Sequence, residues 1–131
     1  MQSHFSIPAL LAVAGGGAAG SLARYVIGTM VQRTPGFPTG TLAVNVSGSF
    51  VLGLLVTWFV ARAPAPELRL LLTIGLCGGY TTFSTFAYES ALMFEDGRIG
   101  RVAIYVLLSV TLSIAAMFAG FSVARTILVR S

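Results

Sequence analysis

Gly75-Leu76-Cys77-Gly78-Gly79-Tyr80-Thr81-Thr82-Phe83-Ser84-Thr85-Phe86 interrupts a segment that is otherwise apolar enough to cross a membrane. Adjacent glycines weaken helical continuity. The residues after them alternate hydroxyls with phenyl rings, which places hydrogen-bond donors at membrane depth. Irregular backbone is tolerated there only where it lines a cavity or is buried in protein. The run therefore predicts a third helix broken at Gly78-Gly79, and a permeation or binding site beside the break.

Working outward, the 131 residues are 56% hydrophobic and 9% charged, too few polar groups to cover a soluble surface. Uncharged stretches of about 20 residues match a hydrocarbon core of about 30 Å. Four such stretches run from Ile7 to Ala23, Gly40 to Ala61, Leu70 to Tyr88 and Val102 to Ala124, separated by segments holding Pro, Gly and nearly all the charge. The expected fold is an all-α membrane protein of four transmembrane helices, a single domain over 1–131. Phe5 to Ala19 ends in small residues like a signal peptide, but no basic residue precedes it and the apolar run continues at helix length to Arg24-Tyr25. It reads as the first span. Cys77 is the sole cysteine, which excludes an intramolecular disulfide and a thiolate metal cluster.

All eight basic residues are Arg. Four spans put Arg62, Arg69, Arg125 and Arg130 on one side and Arg24, Arg33, Arg98 and Arg101 on the other, with Arg24 at a span edge. Lys and Arg bias normally sets orientation, and an even split sets none. Without such a signal the chain can insert both ways, and the expectation is that two copies of opposite orientation pair as an antiparallel, dual-topology homodimer. Four helices leave little room for an internal aqueous path, which favours a route along subunit interfaces. Gly16 with Gly20, and Gly75 with Gly79, form Gly-x-x-x-Gly pairs that bring backbones together, either between copies or within one subunit. The net charge of +4 either concentrates anions at a mouth or contacts anionic lipid.

Asn45 lies inside the second span; its amide both donates and accepts, and calls for a partner in hydrocarbon, whether another helix or a permeating ion. Tyr105, Ser109 and Ser113 recur every four residues, three hydroxyls along one face of the fourth span. Phe83 and Phe86 share a face if helix resumes after the glycines, with Ser84 and Thr85 turned to neighbouring faces. Such pairs serve either packing or, through the positive ring edge, attraction of an anion. No Asp or Glu falls in this set, so it suits a small anion that exchanges water for hydroxyl and amide donors and is not trapped on a full charge. At a helix interruption, carbonyls such as those of Gly78 and Thr81 lose their amide partners; the break is either a packing kink or a seat for a hard cation.

These residues resemble the Fluc or CrcB family of fluoride channels. The resemblance is carried by Gly15 to Tyr25 in the first span, by Gly40-Thr41-Leu42-Ala43-Val44-Asn45 through Gly53 in the second, and by Gly75 to Phe86 followed by Glu89 in the third. It implies a fluoride-selective ion channel of the bacterial inner (plasma) membrane, exporting fluoride passively through two pores in an antiparallel homodimer, with a structural sodium ion at the dyad. By position, Asn45 resembles the pore asparagine, and Phe83 and Phe86 the rings that contact fluoride. Ser84, Thr85, Ser109 and Ser113 resemble the polar track that replaces its hydration, and Tyr105 the pore tyrosine. Main-chain carbonyls of Gly78 and Thr81 match the sodium ligands, while Arg24 and Glu89 match vestibule positions.

The alternative is a proton-coupled carrier like the small multidrug resistance proteins, which needs a carboxylate at membrane depth. Glu67, Glu95 and Asp96 fall in loops and Glu89 at a span end, which argues against it. An enzyme is not expected: His4 is terminal, and no acid or His pair is placed for general acid–base work. Amphipathic loops suited to nucleic acid are absent.

Overall fold

The computed structural model describes residues 6–130, so His4 and Phe5 lie outside it. Each apolar stretch is helical, the third except at Thr81 and Thr82. Helix α1 spans Ile7–Val31 and α2 spans Thr39–Arg62. The third crossing is assembled from α3 (Pro66–Leu70), seven π-helical residues Leu71–Cys77, α4 (Gly78–Tyr80) and, after two extended residues, α5 (Phe83–Glu95). Helix α6 runs Ile99–Arg130. By length and composition Ile7–Val31, Thr39–Arg62, Pro66–Glu95 and Ile99–Leu128 are each able to cross a membrane. The chain is a multi-pass membrane protein.

Local chemistry sets the ends. Ser6 caps α1 by accepting from the Ala9 amide at 3.3 Å, and Pro8 occupies the first turn, where a missing N–H leaves no bond unmade. Gln32 ties the following loop together: Nε2 donates to the Thr34 and Phe37 carbonyls, and Oε1 accepts from the Gly40 amide at 3.0 Å. Between α5 and α6, Gly97 takes φ 73°; its amide donates to Phe94 O and that of Arg98 to Met93 O, both at 2.9 Å. That bond pair closes a helix C-terminus with a left-handed residue.

Two seams hold the helices. Along the first, α1 lies on the π-helical segment with backbone touching backbone. A methyl added at Gly16 or Gly20 would strike the carbonyl of Leu71 or of Leu76, and one at Gly79 would lie 2.6 Å from Gly17 O. Both Gly-x-x-x-Gly pairs are thus used inside one chain. Along the second, α2 meets α6 at Gly53 and Gly120, where an added Gly53 methyl would sit 2.5 Å from Met117 O. Leu11, Leu22, Val60 and Leu107 stay exposed on the outer faces, as membrane-facing side chains do.

The interruption is displaced from its expected place. Gly78 has helical dihedrals of −65° and −38°, and helix continues through Gly79 to Tyr80. The chain opens instead at Thr81 (φ −86°, ψ 159°) and Thr82 (φ −152°, ψ 124°). Gly79 spends its missing Cβ on contact with α1, so packing holds it helical. Threonine breaks the helix because its hydroxyl and a neighbouring side chain meet the backbone groups that the helix gives up.

Candidate functional site

Thr82 stands at the centre. Its hydroxyl caps α5 by accepting from the Thr85 amide at 3.2 Å, and lies 3.1 Å from Thr85 Oγ1 and 3.3 Å from Ser84 Oγ. Across from it on α2, Asn45 Oδ1 accepts from the Thr82 amide at 2.8 Å while Asn45 Nδ2 donates to the Thr82 carbonyl at 3.0 Å. Gly48, one turn along α2, has no Cβ to collide with the Thr81 methyl, which is how the break comes so close.

Cavities open on both sides of Thr82. One, of about 470 Å³, is lined by Arg24, Thr41, Thr82, Thr85 and Glu89 among others. Thr41 Oγ1 and the Tyr105 hydroxyl each donate to the Glu89 carboxylate at 2.7 Å, one to each oxygen. Arg24 completes an opposite-charge pair of residues around this space, and its Nε is buried without a hydrogen-bond acceptor. Two expectations are corrected here. Arg24 is not at a span edge, because α1 continues to Val31, and Glu89 lies well inside α5. Both charges are accommodated within helices because they face this polar cavity in place of lipid.

The second cavity, of about 280 Å³, has no charged lining residue: Asn45, Ser49, Thr81, Thr82, Ser109 and Ser113 supply polar groups, and Phe83 and Phe86 supply rings. Ser109 is 7% exposed and its Oγ is buried with no hydrogen-bond partner. A buried hydroxyl without a partner is unfavourable, and its presence calls for something that fills the space beside it. Ser49 and Thr81 are spent on Asn45 O and Cys77 O, at 2.7 and 2.9 Å. The rings form a ladder: Phe83 and Phe86 centroids are 5.4 Å apart, Phe86 and Tyr105 5.1 Å, and Phe37 meets Tyr105 edge-on at 5.6 Å. Phe83 is 79% exposed at one end of the ladder, and Tyr105, between Phe86 and Phe37, is wholly buried.

The expected residues are therefore divided. Asn45, Phe83, Phe86, Ser109 and Ser113 gather on the uncharged cavity. Thr85 joins Arg24 and Glu89 on the other, Tyr105 bonds to Glu89 next to it, and Ser84 is exposed and lines neither. Gly78 is exposed and Thr81 half-buried. The Thr82 amide turns to Asn45 and the Thr85 amide to the Thr82 hydroxyl, so the helical donors of the Gly78 and Thr81 carbonyls point elsewhere. Those carbonyls fit an oxygen-coordinated cation. Among the described residues no group of three His, Cys, Asp or Glu could hold a metal. Sequence reasoning passed over Thr41, Ser49 and Thr82. The first two lie four residues either side of Asn45, the same stripe signal that singled out Tyr105, Ser109 and Ser113.

Residues 11–121 match the family model described as CrcB-like protein, Camphor Resistance (CrcB). The chain is 48% identical over 118 residues to the fluoride-specific ion channel FluC of Agrobacterium fabrum, covering 88% of this chain and 94% of that one. It is 46% identical over 122 residues to a protein of the same name from Caulobacter vibrioides, covering 90% and 96%. Against fluoride-specific ion channel FluC 1 of Nitrobacter hamburgensis the identity is 43% over 121 residues, again 90% and 96%.

Proposed function

The chain belongs to the CrcB-like family, and from that premise we propose that it is a fluoride-selective ion channel that lets the anion leave the cell passively. The observation that carries the reading is the Ser109 hydroxyl, buried and unpartnered on a cavity lined by donors and the Phe83 and Phe86 rings but by no carboxylate. Fluoride is a small hard anion; hydroxyl donors replace its water, and the positive edges of Phe83 and Phe86 attract it without a full charge to hold it back. Ser113 extends the donor track along α6. Arg24 raises the local concentration of anions in the adjoining cavity, while Glu89 occupies the donors of Thr41 and Tyr105 until an anion competes for them. Thr85 meets the path at the capping turn of α5, from the charged cavity, and Ser84 contributes there only through its contact with the Thr82 hydroxyl.

The working unit in this reading is an antiparallel homodimer with two pores in the bacterial inner membrane. Removing Arg24 from the loops leaves Arg33, Arg98 and Arg101 on one side against Arg62, Arg69, Arg125 and Arg130 on the other, still a weak orientation signal. A structural sodium ion would be held by the Gly78 and Thr81 main-chain carbonyls, with matching groups from a second copy, and would neutralise the exposed carbonyl dipoles at the break.

The test is anion efflux from proteoliposomes loaded with fluoride and chloride, read by ion-selective electrodes after a potassium ionophore is added, without a proton gradient. Fast fluoride release with negligible chloride release is expected. No fluoride release from folded protein would end the channel reading.

A further inference from the structure

The extended pair at the break is held by one side chain. In an unbroken helix the Thr82 amide would donate to the carbonyl of Gly78, four residues back. Here it donates to Asn45 Oδ1 at 2.8 Å, and the Thr82 carbonyl accepts from Asn45 Nδ2 at 3.0 Å. A single primary amide thus satisfies both main-chain polar groups of one residue, from a helix 37 positions away in sequence. The two bonds also decide which end of the Asn45 amide is oxygen, because only this orientation serves an N–H and a C=O together.

We propose that Asn45 is a positioning residue of the pore: it holds the break open at Thr82 and does not surrender its amide to the anion. Turning the amide toward an anion would give up two bonds to Thr82, one donated and one accepted, for a single contact. Held in place, Thr82 starts α5 with its own hydroxyl, so the bracket fixes where Phe83 and Phe86 present their edges. It also frees the Gly78 and Thr81 carbonyls. The donors left for the anion in this cavity are Ser109, whose hydroxyl is buried without a partner, and Ser113 one turn further along α6. The bond pair stands by itself; what it positions rests on the channel reading above.

A double-mutant cycle separates bracket from ligand. Four proteins are compared: the unmodified chain, Asn45→Ala, a chain with the Thr81–Thr82 amide replaced by an ester to delete the Thr82 N–H, and the combination. Fluoride efflux is normalised to folded protein, which a purely structural loss does not change, and thermal unfolding is recorded in parallel. Asn45→Ala is expected to lower efflux roughly tenfold or more, the ester by a comparable factor, and the combination no further than the worse of the two. The ester also weakens the Thr81 carbonyl as an acceptor, and only the non-additive part of the losses counts for the bracket. An ester that leaves efflux within about twofold of the unmodified chain while Asn45→Ala loses it, or losses that multiply, would overturn the proposal and return Asn45 to the anion's ligands. If Asn45→Ala does not fold, Asn45→Gln replaces it, keeping the amide but carrying it one methylene too far. If the unmodified chain passes no fluoride, the channel reading fails, and the same cycle is judged on unfolding temperature: non-additive losses uphold the bracket and additive ones refute it.

Discussion

The two halves of residues 75–86 do opposite things with similar-looking liberties. Gly75 to Gly79 has the residues most able to break a helix, and remains helical because its bare backbone is pressed onto the glycines of α1. Thr81 and Thr82 have ordinary side chains and leave the helix, because Asn45 and the Thr82 hydroxyl replace the lost bonds. What breaks a helix inside a membrane is thus less a weak propensity than a substitute partner. With no water available, backbone stays bonded to itself until a side chain takes over. Glycine, in the same surroundings, supplies nearness.

Substitutions that attack each half separate the two roles. The largest effect is expected at Gly20, where an added Cβ meets the Leu76 carbonyl and lies 2.8 Å from the Tyr80 amide. Both are backbone and cannot swing aside, so Gly20→Val should destabilise by about 3 kcal/mol or more. Size-exclusion profiles and thermal unfolding in detergent would report it; a monodisperse, stable variant would show that the α1 seam is looser than its geometry.

An intermediate effect, confined to the open half, is expected at Ser109. Ser109→Ala removes a buried hydroxyl that has no partner, so stability should be unchanged or slightly raised, while fluoride efflux falls by about tenfold for the lost donor. Unchanged efflux would place the anion elsewhere.

The smallest effect sharpens the comparison most. Gly78 has helical dihedrals, and within one chain an added methyl finds its nearest neighbour at 3.8 Å, so in the single chain Gly78→Ala should leave the unfolding temperature unchanged or raise it, with a helix-propensity gain of about 1 kcal/mol at most. A large loss there would restore Gly78-Gly79 as the point where the chain must open.

Much of the site was readable as spacing. Asn45, Phe83, Phe86, Ser109 and Ser113 were each visible as a polar group or ring inside an apolar span, and they meet on one cavity. In the linear pattern Glu89 and Arg24 fall at span edges, because a charge reads as the end of an apolar run. Each is instead inside a helix, facing a polar cavity shared with Thr41 and Tyr105, and a linear pattern cannot show that a charge has company. Ser84 and Thr85 looked like continuations of the Ser109 track, but the cap at Thr82 turns one outward and the other to the charged cavity.

By itself the sequence determined four membrane-crossing helices, since an apolar run of that length has no other stable state in a bilayer, and it marked residues 75–86 as the place where the third crossing changes character. Tertiary structure alone decided where in that run the helix gives way, which glycines touch which backbone, and which hydroxyls stay free. Those outcomes depend on which partner lies opposite each polar group. Asn45 and Thr82 are 37 residues apart, and only the packing of α2 against the third crossing brings them within 2.8 Å.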